Sequence, residues 1–393
     1  MRHDMSGNSL IKIAQGVQRK GNRLLNGNTG GEITLSGKAS NELLDLLEEG
    51  EEVNGLKSIY DDAVVDLINK LVYQGYLETD KERFFTSTGS PYLVNTMETN
   101  FFDFQRGNLG FDVDGNTRTI GLIGINSFSS SPTHFISFDS VSKIRQASSN
   151  ATGLDISAEG TIKNTCGRFS EELNGILVKD YGDLEITIDQ NLMENRLINL
   201  ESDIFRNGRV TPLFIGGDHA TTFYFIQGLL ENVSDNIQIL QLDAHMDTGN
   251  NRWGMVEHGS FVRTLANSSK VKKIVQLGVR GTYNINESKG LDGKVVQTTI
   301  DNLEKILEKD IPVYLTIDAD AFDPSVIGAV SYPVLGGLGL TDFDNIALKL
   351  LSYNVVAADF VEFNGQYDSK NLIYSTAAAQ VILGEIAILG GER

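Results

Sequence analysis

Three times in this chain a run of apolar residues leads directly into an acidic cluster, twice with a histidine in it, and that pattern limits what the chain can fold into. Leu213-Phe214-Ile215 runs into Gly216-Gly217-Asp218-His219, and residues 237–242 run into Asp243-Ala244-His245-Met246-Asp247. Residues 313–317 run into Asp318-Ala319-Asp320. Residues 120–125, 273–277 and 355–361 are apolar runs of the same kind, with helical stretches between them. Apolar strands alternating with helices predict a parallel sheet covered on both faces. In such a sheet ligands bind beyond the carboxyl ends of the strands, which is where all three clusters fall. The predicted class is α/β, with a mainly parallel sheet over residues 118–393.

The clusters also share a chemistry. Two imidazoles and several carboxylates are the donors that hard or borderline divalent metals take. The chain has five histidines; His219 and His245 lie inside the clusters, and His258 follows closely. In extended backbone Asp243, His245 and Asp247 project to one side, and Asp318 and Asp320 share a side in the same way. At an effective dielectric of about 20, two unit charges about 4 Å apart repel by roughly 4 kcal/mol, so these carboxylates call for cations. Six donors exceed the needs of one four-coordinate ion, and shared aspartates are how two-metal sites are built. Turn-making and helix capping would account for any one cluster alone, but not for three with two histidines among them.

Bulk properties narrow the partners. With 393 residues, 40% of them hydrophobic, one large and one small domain are expected. A net charge of -19 repels phosphate backbones, so no nucleic-acid partner is expected. The single cysteine, Cys166, allows no intrachain disulfide and fits a reducing compartment. The N-terminus lacks a signal-peptide pattern, and the apolar stretch 377–389, interrupted by Gln380 and Glu385, reads as too short to span a bilayer. A cytoplasmic protein without a membrane partner, forming a homo-oligomer, is the expectation.

Residues 1–85 differ in texture. Ile11-Lys12-Ile13 and Ile33-Thr34-Leu35 alternate like strands across the turn-rich segment 26–31. Leu43, Leu44, Leu46 and Leu47 form a helical face behind Ser40, and Val64, Val65, Ile68, Leu71 and Val72 repeat the spacing up to Gly75. Strands followed by helices predict a winged-helix-like α+β module, with residues 86–117 as a connector. The acidic run 48–52 reads as a solvated helix end. The layout, with its "LVYQGYLE" ending, resembles the PqqD-related domain that holds leader peptides in ribosomal-peptide modification; a generic winged helix used for oligomer contacts is the alternative.

The motifs of the larger region resemble the ureohydrolases, the arginase and agmatinase family. "GGDHATTF", "LDAHMDT", "EHGSF" and "TIDADAFDPS" occur in family order, with "DYGDLEI", "LGVRG" and "VEFNGQYD" beside them. The resemblance implies a three-layer arginase-like fold and two Mn²⁺ ions with a bridging hydroxide. One ion would take His219, Asp243, Asp247 and Asp318; the other Asp243, His245, Asp318 and Asp320. His258 matches the family's proton-shuttle histidine, and an ordinary imidazole pKa near 6.5 suits that role. Glu362 matches the glutamate that binds the guanidinium, by charge-assisted hydrogen bonds.

The sequence departs from the family around its substrate. Residues 248–254, with Trp253 as a candidate lining residue, stand closer to agmatinases than to arginases but match neither clearly. Residues 134–148 replace a Gly-Pro-rich access loop, "AVSYPVLGGLGL" keeps only the glycines of the segment expected after Asp323-Pro324, and Thr316 stands where Ser is common. Together these features lead to an expected Mn-dependent hydrolase converting peptidyl arginine to ornithine, with residues 1–85 holding an arginine-containing precursor peptide. The alternative is an agmatinase or guanidino-acid hydrolase acting on a free small molecule.

Overall fold

The computed structural model describes residues 10–391 apart from 15–16, 27–31, 37–39, 61–63, 65–66, 69–70, 72–75, 80–89, 91, 95–98, 110–118, 128–138, 152, 164, 166, 188–189, 234–235, 252–254, 283–288 and 292. The chain divides into two compact units, Met1–Met97 with Asn108–Asp114, and Glu98–Gly107 with Gly115–Arg393.

In the smaller unit Leu10–Ile13 pairs antiparallel with Glu51–Glu52 on one side and Leu77–Thr79 on the other. A second antiparallel ribbon runs through Val17–Lys20, Arg23–Asn26 and Glu32–Thr34. Its first turn is Gly21-Asn22, where Gly21 takes a φ of +64° that suits a tight hairpin. Helix Ser40–Glu49 buries Leu43, Leu44 and Leu47 against Ile11, Leu24 and Leu77. The sequence reading missed the hairpin strands 17–20 and 23–26 and helix Val53–Ile59. Of the acidic run, Glu48 and Glu49 do form an exposed helix end, with Glu48 paired to Arg19 at 2.8 Å, whereas Glu51–Glu52 is a strand. The helix expected around residues 64–72 lies partly outside the described residues.

The larger unit is an α/β fold with a mainly parallel sheet. Eight of its strands lie side by side as Val295–Thr298, Val271–Leu277, Ile237–Leu242, Val313–Asp318, Val355–Val361, Val210–Ile215, Thr119–Gly124 and Leu177–Leu184. Every neighbouring pair is parallel. Four of these strands are buried at every residue, as a sheet covered by helices requires. Leu177–Leu184 and Val295–Thr298 escaped the sequence reading because their residues are mixed rather than apolar.

The order matters for function. The strands ending at Leu242, Asp318, Val361 and Ile215 are four consecutive neighbours. The chain passes from the strand ending at Ile215 to the one ending at Leu242 across a gap that the two later strands fill. This is the topological switch at which open α/β sheets bind ligands.

The stretch read as a connector carries core residues of the larger unit. Phe101, Phe102 and Phe104 are buried, and the Phe101 N–H donates to Asp180 Oδ2 at 2.9 Å. Arg145, fully buried, pairs with Asp180 and Asp183 and lies over the Phe101 ring. Residues 140–148, expected within an access loop, lie instead in helix Ser140–Ala151. Its Val141, Ile144 and Ala147 face the core at helical spacing.

Helix Ile373–Gly390 is longer than its apolar segment suggested. Its length and composition would allow it to cross a membrane, yet 67% of it is buried inside this fold. It packs on Val355–Val361 and beside Ser140–Ala151 and Leu340–Leu350. Within it Glu385 is fully buried, and neither carboxyl oxygen has a hydrogen-bond partner. Burial, then the charge of Asp359, pushes this carboxyl well above its ordinary 4.5. A raised folded-state pKa favours the fold below the unfolded value, and that advantage is lost as pH rises. Glu385→Met is therefore expected to stabilise the protein by about 1–3 kcal/mol at neutral pH. Urea midpoints at several pH values should show the gain shrinking toward acid; a pH-independent or negative difference would contradict this.

Candidate metal centre

The turn after Ile215 is built on two glycines with φ of +96° and +88°. A side chain at Gly216 would place its Cβ 2.5 Å from the Ile125 carbonyl, so only glycine fits. The turn delivers His219 to the start of helix Ala220–Asn232. Glu362, at the end of Val355–Val361, clasps the same turn: its N–H donates to Gly217 O, and its Oε1 accepts the His219 N–H, both at 2.9 Å. Glu362 and Asp247 have φ of +62° and +49°. Non-glycine residues held there are strained, and such strain concentrates at functional sites.

His219 Nδ1 lies 3.2 Å from Oδ2 of each of Asp243, Asp247 and Asp318. His245 Nδ1 lies 3.0 Å from Asp320 Oδ2 and 3.6 Å from Asp243 Oδ1. Donor atoms of His219, Asp243 and Asp318 fall within 4.8 Å of one another, as do those of Asp243, His245 and Asp320. Asp243 belongs to both groups. All six predicted donors therefore converge, although not by the alternation of an extended strand. The strands stop at Leu242 and Asp318; Asp247 comes inward through its left-handed backbone, and Asp320 sits in the turn Ala319–Ala321, whose first N-terminal partner is the Asp318 carboxylate.

The donor set fits divalent cations. His219 Nδ1 is buried and has no hydrogen-bond partner, yet it faces three carboxylates. Its other nitrogen, Nε2, lies 2.9 Å from Thr316 Oγ1, which itself donates to Asp359 Oδ1 at 2.6 Å. Tyr314 donates to Asp359 Oδ2 at 2.8 Å. Because the Thr316 proton is committed to Asp359, the hydroxyl oxygen must accept from Nε2–H. That leaves the Nδ1 lone pair of the neutral ring aimed at the carboxylates.

Charge tells the same story. Burial, then Asp320 and Asp243, pushes the Asp318 carboxyl well up; burial, then Asp243, raises Asp247 to about 7. Burial opposes a charged His245, but hydrogen bonds to Asp243 and Asp320 push it up to about 12. Burial likewise opposes a charged His219, and its three aspartates still push it well above the ordinary value. The imidazoles take up protons because the site calls for positive charge, which metal ions supply.

Beneath the donors runs a polar row across the sheet. Gln276 is in register with Gln241, Gln241 with Thr316, and Thr316 with Asp359. Gln276 donates to Gln241 Oε1 at 2.7 Å, and Gln241 donates to Asp243 Oδ2 at 2.6 Å. The sequence reading noted Thr316 but passed over Gln241, Gln276 and Asp359, though four polar residues inside buried apolar strands were a visible signal.

A cavity of about 430 Å³ opens over the centre, lined by His219, His245, His258, Arg280, Tyr332 and Glu362 among others. Burial lowers the His258 pKa, which favours a neutral ring able to accept a proton. Burial, then the charge of Asp218, raises Glu362 to about 8, so a cation beside it would be welcome. Phe261 of the "EHGSF" segment packs against the His219 ring at 4.3 Å. Arg280 is a brace: it donates to the carbonyls of Gly278, Asp320, Ala321, Phe322 and Val334. Trp253, the remaining sequence candidate, lies outside the described residues.

Comparison with known proteins places these features in context. The sequence model of the arginase family matches residues 139–387. The chain is similar to mitochondrial arginase 1 of Oryza sativa subsp. indica, 29% identical over 236 residues that cover 56% of this chain and 69% of that one. It is 28% identical over 235 residues to an agmatinase of Chromobacterium violaceum, covering 56% and 70%. Its fold is like that of a hypothetical agmatinase from Burkholderia thailandensis, with a TM-score of 0.61 at 22% identity over 79% of this chain and 93% of that one.

The hydroxyl behind His219 makes a direct expectation. Thr316→Val should weaken divalent-metal binding about 10- to 100-fold, the usual cost of removing a partner behind a metal-ligating histidine. Thr316→Ser, which keeps the hydroxyl, should restore it. Calorimetric titration of stripped protein with Mn²⁺ measures both, and equal affinity in wild type and Thr316→Val would refute the relay.

Proposed function

Because the chain belongs to the arginase family, and so is a hydrolase of guanidino compounds, we propose that it uses two Mn²⁺ ions to convert peptidyl arginine to ornithine and urea. The observation that carries the hydrolytic part is Asp243, shared between two histidine-carboxylate groups beneath one cavity that also holds Glu362 and His258. His219, Asp243, Asp247 and Asp318 would hold one ion, and Asp243, His245, Asp318 and Asp320 the other. Bound there, the pair supplies a water nucleophile at neutral pH and neutralises charge in the transition state.

The protein's own groups do the rest. Glu362 pairs with the N–H edge of the substrate guanidinium and holds its carbon over the centre. Its strained backbone, tied to the turn that presents His219, fixes the carboxylate relative to the donors. His258 carries a proton to the departing amine. The balance is simple: the guanidinium and one water become an alkylammonium and urea, and the peptide loses the equivalent of CH₂N₂.

Support for a peptide substrate comes from outside the matched stretch. The family match begins at residue 139, whereas the separate β-rich unit before it has its own apolar core. Its layout suits a PqqD-like holder of a precursor's leader. The second reading, hydrolysis of a free guanidino compound, is favoured by the arginase and agmatinase names of the relatives.

Incubation of the Mn²⁺-loaded protein with an arginine-containing precursor peptide should release urea and remove CH₂N₂ from the arginine. Chelation should abolish the reaction and Mn²⁺ should restore it. Trimming the leader from the peptide should raise KM at least about tenfold, a modest contact free energy. Turnover of free arginine or agmatine with every peptide untouched would overturn the peptide reading while leaving the hydrolase.

A further inference from the structure

Glu362 accounts for the edge of a guanidinium, but that planar cation also has two faces. Among the described residues lining the cavity, Tyr332 carries the one phenyl ring. Its centroid lies 5.8 Å from the His258 ring at a tilt of 33°, and 6.4 Å from the His245 ring, edge-on at 85°. A ligand between these imidazoles and Glu362 therefore lies within reach of the Tyr332 ring, which is 36% exposed.

The backbone that carries the ring is held on both sides. Val330 bridges to Phe363, Asn364 N donates to Ala329 O at 2.7 Å, and Asn364 Nδ2 donates to Ser331 Oγ at 3.2 Å. On the far side Arg280 donates to Val334 O at 2.8 Å, and Gly336 N to Asp323 Oδ2 at 2.8 Å. Pro333 confines the Tyr332 backbone to extended conformations. Asn364 lies two residues after Glu362, so the same stretch of backbone positions both the carboxylate and the ring. Little ordering cost is left for a ligand to meet.

We propose that Tyr332 is a specificity-determining residue: its ring face receives the guanidinium and the apolar arm that carries it, while Glu362 takes the N–H edge. Weakly hydrated, planar cations stack on aromatic faces better than a compact ammonium does. The site would thus prefer arginine side chains over lysine side chains before any chemistry begins. This assignment rests on the guanidine-hydrolase reading above, and two readouts separate them.

The test uses the full chain loaded with Mn²⁺ and two probes, Nα-acetyl-arginine amide and Nα-acetyl-lysine amide. Calorimetry gives Kd, and urea release gives turnover. Tyr332→Leu, which keeps bulk without a π face, should weaken the arginine probe roughly tenfold. Metal content and thermal midpoint should match wild type, with Tyr332→Ala as a second, smaller replacement. Tyr332→Phe should stay within about threefold of wild type, because the ring remains. Unchanged Kd in Tyr332→Leu and Tyr332→Ala, or a loss in Tyr332→Phe as large as theirs, overturns the assignment. Wild-type protein that binds the arginine probe with the expected variant pattern but releases no urea refutes the hydrolase reading and leaves the ring contact standing. Wild-type protein that does not bind the probe overturns the assignment.

Discussion

The larger unit is organised around one electrostatic problem: carboxylates crowded at the ends of adjacent parallel strands. Asp243, Asp247, Asp318 and Asp320 converge on two imidazoles in a largely buried setting. Like charges at such spacing, away from water, are unstable without positive charge between them. The features around them serve that arrangement. The paired glycines turn the chain so that His219 enters, and Asp247 and Glu362 accept left-handed backbone to aim inward. The polar row from Gln276 to Asp359 holds Asp243 and His219 from beneath.

The polar row also shows how a buried sheet can carry function without losing its packing. Strands covered on both faces are expected to be apolar throughout, and each polar side chain in them incurs a desolvation cost. Here the cost is met by neighbours: Gln276 donates to Gln241, which donates to Asp243, while Thr316, which faces His219 Nε2, donates to Asp359. A single polar residue in one strand would have been left unsatisfied. The four stand in one row because the strands are parallel and in this order, and within it Gln276 pairs with Gln241 and Thr316 with Asp359.

Much of this was legible in the chain itself, and the omissions have physical causes. Apolar runs ending in acids marked the strands and the site, since burial on both faces leaves no alternation to confuse. Leu177–Leu184 was missed because Lys179, Asp180 and Asp183 interrupt it, yet Asp180 and Asp183 are neutralised by Arg145 from a distant helix. Residues 98–107 looked like a linker because their phenylalanines are surrounded by Asn, Asp and Gly; they bury in a core the linear pattern does not display. Glu51–Glu52 looked like a solvated helix end, but backbone pairing with Leu10–Ile11 makes it an edge strand. Arg280 and Tyr332 gave no periodic signal, because their roles come from loops that meet only in space.

The sequence by itself determined the class of fold and marked the candidate donor residues with the chemistry their side chains favour. Side-chain type and strand-end placement are local properties, and a short window of residues carries them. Tertiary structure decided which donor atoms come together, because that depends on strand order, on the turn at Ala319–Ala321 and on the backbone at Asp247. It also decided the proton position on His219, set by Thr316 and Asp359 from two other strands, and the ring that overlooks the cavity. Those are relations between residues up to about a hundred and forty positions apart, such as His219 and Glu362. Only folding brings them within hydrogen-bond range.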